Sequence, residues 1–72
     1  MSEVKVGDVR CTNKGIVYVV TRISFNVADA IQQSGAVWWS FSTDKFAEDR
    51  LLASYRTFNE AINSKEFTEW HI

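Results

Sequence analysis

Seventy-two residues, 46% hydrophobic and 24% charged, make a single domain of ordinary globular composition. The formal net charge of −1 excludes both the strong positive field of a dedicated DNA binder and the dense negative field of a DNA mimic. One Cys excludes an intramolecular disulfide and a multi-Cys zinc site, and one His weakens the case for His-based catalysis.

The first segment, residues 4–12, alternates loosely through Val4, Val6, Val9 and Cys11, with an irregularity at Gly7. Asn13-Lys14-Gly15 is a turn signal, and residues 16–23 are rich in β-branched and aromatic side chains. Together they predict a β-hairpin over residues 4–23. Residues 24–35 fit either a short helix, through Val27, Ala30 and Ile31, or a connecting loop. Residues 36–42, Ala36-Val37-Trp38-Trp39-Ser40-Phe41-Ser42, alternate as a third strand.

Ser42 or Thr43 is placed to cap a helix that begins at Asp44. Ala47, Leu51, Tyr55, Phe58 and Ile62 then trace a helical stripe, which predicts a helix over 44–63. The rival reading runs a strand through Leu51–Arg56 and opens a short helix with the capping box Thr57-Phe58-Asn59-Glu60. The tail Glu66–Ile72 fits a returning strand with Thr68, Trp70 and Ile72 on one face. No apolar run approaches the 20 or so residues of a membrane span, and Met1–Lys5 lacks the apolar stretch of a signal peptide. With the free Cys11, a cytoplasmic location is the simple expectation.

Val6-Gly7-Asp8-Val9, Gly15 and Tyr18-Val19-Val20 resemble the opening hairpin of small SH3-like barrels, including KOW-type modules. The resemblance covers about residues 4–23 and implies an SH3-like barrel variant as the alternative fold. In size and make-up the chain is also similar to compact bacteriophage regulatory proteins that bind host enzymes, among them inhibitors and antiterminators of RNA polymerase. That similarity implies a regulator or inhibitor acting in the host cytoplasm, with the transcription machinery as its first candidate target. It transfers no site residue.

Catalytic chemistry has little to work with. His71 is the penultimate residue, and Cys11 has no His near it in sequence, so Cys11 reads as a small core hydrophobe. Asp44, Glu48 and Asp49 read as carboxylates of a first helical turn rather than a metal site. Glu60, Glu66 and Glu69 near His71 are the only other acidic grouping. The three Gly, at 7, 15 and 35, are too scattered for a phosphate loop. The expectation is therefore no enzyme, no cofactor and no metal.

Binding chemistry is better supplied. Alternation puts Val37, Trp39 and Phe41 on one face of the third strand and Trp38 on the other. The face with Phe41 is the more apolar and is expected to be core, so Trp38 is expected outward, beside Tyr18 and Val20. The predicted protein-binding patch is Trp38, Tyr18 and Val20, rimmed by Arg22 and Arg10. Coverage of that face by the tail, through Phe67 and Trp70, and a homodimer seam are the other possibilities. Nucleic-acid binding by Lys5, Arg10, Lys14 and Arg22, with Tyr18 as a stacking ring, is the alternative function.

The expected fold is α+β: an N-terminal hairpin and a third strand in a small antiparallel sheet, with one helix over 44–63 packed on a face. Its expected core is Val6, Val19, Val37, Trp39, Phe41, Leu51, Tyr55, Phe58 and Ile62. The expected function is non-catalytic binding of a larger protein partner, by a monomer or homodimer.

Overall fold

The computed structural model of the chain describes residues 4–69. Its strands are β1 (Asp8–Cys11), β2 (Val17–Ser24), β3 (Val27–Gln32), β4 (Val37–Ser42) and β5 (Arg50–Ser54). Its helices are α1 (Thr43–Ala47), α2 (Phe58–Ile62) and α3 (Lys65–Thr68). All ladders are antiparallel, in the order β4-β3-β2-β1-β5. The first four strands form a meander, and β5 returns to the free side of β1. No ladder joins β4 to β5 among the described residues, so both are outer strands.

The expected three-stranded sheet under a single helix is overturned. The segment 44–63 makes most of α1, then β5, then α2. The misleading signal is the four-residue spacing of Ala47, Leu51 and Tyr55. In the structure the three fall in different elements, Ala47 at the end of α1, Leu51 in β5 and Tyr55 just past it, so the stripe spans a helix, a strand and the connection after it rather than one helix. The end of the segment follows the rival reading: Thr57 Oγ1 caps α2 by accepting the Glu60 N–H at 3.2 Å. At the start, Ser42 Oγ caps α1 by accepting the Asp44 N–H at 3.2 Å. The ambiguous segment 24–35 supplies β3. The tail begins with α3 rather than a strand, capped by Ser64, and Trp70, His71 and Ile72 lie outside the described residues.

Helices pack on both faces of the sheet, though neither set covers all of it, which explains why the expected core is half wrong. One face carries Val9, Cys11, Val17 and Val19, closed by Ala61 of α2 and Phe67 of α3, with Leu52, Tyr55, Phe58 and Ile62 packed around them. The other carries Tyr18, Val20, Ala28 and Ala30, closed by Phe46 of α1, with Trp38 and Phe41 alongside. Val19 is buried as expected, and Phe41, Tyr55, Phe58 and Ile62 are half-buried. Val6, Val37, Trp39 and Leu51 are exposed instead.

Gly7 ties the sheet together at the start of β1. Its N–H donates to Val20 O at 3.0 Å, and its own carbonyl accepts the Tyr55 N–H at 3.0 Å. Its φ of +93° suits glycine, and a Cβ there would overlap the Tyr55 carbonyl oxygen. Gly35 has a similar φ of +97° but open space around it. Gly7→Ala should therefore destabilise the protein by roughly 2–4 kcal/mol and Gly35→Ala by roughly 1 kcal/mol. Urea denaturation of the two variants checks the order, and equal losses would contradict it.

Candidate binding surfaces

Of the predicted patch of Tyr18, Val20, Trp38, Arg10 and Arg22, only Arg22 stands exposed, and Trp38 is half-buried. Tyr18 and Val20 are 0% exposed and Arg10 is 1% exposed. The sequence placed Trp38, Tyr18 and Val20 on one face correctly, through the pairings Val20–Ala30 and Ala30–Trp38. It missed the cover, which is α1 and not the tail: Phe67 packs on the opposite face. The Phe46 ring lies 4.8 Å from the Tyr18 ring and 6.1 Å from those of Trp38 and Phe41. Trp38 meets Tyr18 edge-on at 5.2 Å, an arrangement aromatic quadrupoles favour.

Arg10 holds this cover in place. Its Nη1 donates to the carbonyls of Phe46 and Asp49, each at 3.1 Å, and its Nη2 to Asp8 Oδ2 at 3.2 Å. Both side chains of the Arg10–Asp8 pair are 2% exposed. Asp8 also accepts from Ser54 Oγ at 2.7 Å and from the Lys5 N–H at 3.0 Å. Tyr18 OH donates to Asp49 Oδ2 at 2.6 Å. Burial, then this bond to a carboxylate, raise the phenol well above its ordinary pKa of 10.0. Burial likewise raises the Cys11 thiol, which is 6% exposed, so it is a weak nucleophile; His71 lies outside the described residues.

The four cations of the nucleic-acid reading are not gathered together. Arg10 is internal. Lys14 lies in the β1–β2 turn and Arg22 near the far end of β2, where its Nε is 3.1 Å from Asp29 Oδ2. Lys5 is exposed. Among the described residues no group of three His, Cys, Asp or Glu side chains is arranged to hold a metal. No helix there is long and apolar enough to cross a membrane.

Two other surfaces come from the geometry. The first is a groove of about 360 Å³ between the β1–β2 turn and α1. Ile16, Trp38, Phe41 and Phe46 give it apolar walls, and Lys14 and Lys45 stand at its rim. The Lys45 Nζ lies 5.6 Å from the Phe41 ring centre. The second is the β3–β4 margin. The helices α2 and α3 pack mainly on β1 and β2; Ile31 of β3 reaches their core, while the outer part of that face, along β4, is exposed. Trp39 is 69% exposed there, with Val37 and Val27 also exposed. A bulge opposite Asp29 turns the strand at Ser40, whose φ is 55° and whose N–H donates to Asp29 Oδ1 at 2.7 Å. At the β2–β3 tip, Phe25 is 99% exposed with a φ of 56°. Sequence reasoning missed both Phe25 and Trp39. The two-residue turn Phe25-Asn26 gave a poor signal, since its positive φ falls on Phe25, where a tight hairpin turn favours Gly or Asn.

In comparisons with protein-family models, curated proteins and solved structures, nothing matches the chain.

Removing one partner of a buried ion pair strands the other, so Arg10→Met should cost about 3–5 kcal/mol, while Asp8→Asn combined with Arg10→Met should recover part of the loss. Thermal or urea denaturation of the series checks this; a single variant as stable as wild type would contradict it. Because the folded Tyr18 phenol stays protonated where the unfolded one ionises, its contribution is complete below pH 10 or so and fades as pH rises beyond it. Stability should therefore fall less steeply between about pH 10 and 12 in Tyr18→Phe than in wild type. Parallel slopes in urea titrations would contradict it.

Proposed function

We propose that the chain is a non-catalytic protein-binding module that acts by occupying a surface of a larger partner. One observation carries the reading. Phe25, Val27, Val37 and Trp39 are four of the six exposed large hydrophobic residues among the described residues: Val27 in β3, Val37 and Trp39 in β4, and Phe25 at the adjoining β2–β3 tip. Isolated apolar side chains on a surface need no explanation, but four on one hairpin and its adjoining tip, a Trp and a Phe among them, have the residue types of an interaction hot spot. Phe25 adds a second cost. It holds a left-handed backbone conformation that favours Gly or Asn, in a place where its ring gains no intramolecular burial. The margin also includes outer strand β4, which has no charged side chain to deter pairing with another chain.

The binding residues of this reading are Phe25, Val27, Val37 and Trp39. Trp38, Tyr18, Val20 and Arg10 support them as the packed interior beneath. The similarity in size and make-up to bacteriophage regulators makes the host transcription apparatus the first partner to test, with regulation or inhibition by occupancy. The nucleic-acid alternative has less support, because one of its four cations is internal and a second is paired with Asp29.

The test is capture from bacterial lysate by tagged protein, with and without nuclease, read by mass spectrometry. Wild type should take one dominant nuclease-resistant partner. Phe25→Asn and Trp39→Ser should each weaken capture by about tenfold or more, with unchanged melting because both rings are exposed. Equal capture by both variants, or a catch that disappears with nuclease, would contradict the proposal.

A further inference from the structure

We infer that the groove between the β1–β2 turn and α1 is the seat for Phe25 of a second copy of this chain, so that two copies form a dimer by exchanging hairpin tips. The inference rests on the reading of Phe25 as a contact residue and names an occupant for a different surface; a Phe25 seated in a second copy is not offered to a larger partner, so dimer and partner compete for that ring.

The chain carries a knob and a hole of matching chemistry. The knob is Phe25, a ring wholly in solvent on a tip of two residues between β2 and β3. The hole is the groove of about 360 Å³, walled by Ile16, Trp38, Phe41 and Phe46. An apolar cavity of about 150 Å³ already holds a benzene ring, so one Phe side chain fits with room for its backbone to approach. The walls offer an incoming ring both faces and edges: Trp38 and Phe41 are inclined at 56°, while Phe46 lies at 28° and 29° to them.

Thr43, the first residue of α1, donates its N–H to Asn26 O at 2.9 Å, beside Phe25. Within the same short helix, Lys45 and Phe46 line the groove. Knob and hole therefore flank one five-residue helix. Reciprocal exchange, in which each copy's Phe25 enters the other's groove, is an isologous contact and closes at two copies about a two-fold axis. Lys14 and Lys45 share the groove's lining with Glu48 and Asp49, so the linings of two copies bring charges of both signs to the seam.

Sedimentation equilibrium on purified protein, from micromolar to roughly millimolar concentration, tests the inference. Wild type should pass from monomer to dimer. Phe25→Asn, which relieves the positive φ, should fold normally and raise the dissociation constant by more than about tenfold. Ile16→Asp, placed on the groove wall, should do the same with an unchanged circular dichroism spectrum. Trp39→Ser should leave the dimer intact. A wild type that stays monomeric throughout, a Phe25→Asn variant that dimerises as wild type does, or a dimer lost in Trp39→Ser would overturn it. The measurement uses the chain alone, so its failure leaves lysate capture standing as a separate question, and failed capture leaves the dimer standing.

Discussion

The guanidinium of Arg10, internal on β1, is the interaction on which the aromatic side of the molecule depends. A five-residue helix does not hold itself together in water, because nucleation outweighs the few hydrogen bonds it gains. Here Ser42 satisfies the first turn, and Arg10 collects the carbonyls of Phe46 and Asp49 at the other end. Asp8 on the same strand balances the charge, and Tyr18 on β2 reaches Asp49. The result delivers Phe46 onto Tyr18, Trp38 and Phe41. A buried ion pair adds little net stability over an apolar substitute, because desolvation offsets the Coulomb gain. Its contribution in this fold is position: it sets where α1 sits, and therefore which face of the sheet closes.

The opposite face bears the consequence of a short chain. With α2 and α3 placed on β1 and β2 and reaching only Ile31 of β3, the outer part of the same face, with Val37 and Trp39 of β4, stays exposed. Small domains bury a modest fraction of their surface, and some apolar area stays outside in any of them. What distinguishes this chain is where that area lies. Trp39 stands on an uncharged outer strand and Phe25 on the adjoining strained hairpin tip, and this distribution underlies the proposed role in protein binding.

Much of the sheet is legible in the sequence. The run Val17–Ile23 and the alternation across Trp38 and Trp39 give two strands and set the tandem rings on opposite sides. The assignment of inside and outside fails because it assumes one core under one helix. With cover on both faces, Trp38 goes in and Trp39 stays out. The helical stripe fails because its residues fall in different elements, and the capping box at Thr57 is the better guide. Arg10 reads as a surface cation. Its only local sign is Asp8 two residues earlier, which a strand places on the same face, and the carbonyls it serves lie 36 and 39 residues away in sequence. The turn Phe25-Asn26 stays hidden as long as residues 24–35 are taken for helix or loop.

The account turns on which of the tandem rings is bare. Relaxation by a soluble paramagnetic agent, read on the indole and aromatic protons in dilute solution, measures this directly. Strong broadening of Trp39 with protection of Trp38, Tyr18 and Phe46 is the predicted result. Equal protection of Trp38 and Trp39 would show the β3–β4 face to be covered, and equal broadening would show α1 to be undocked; either would contradict the account.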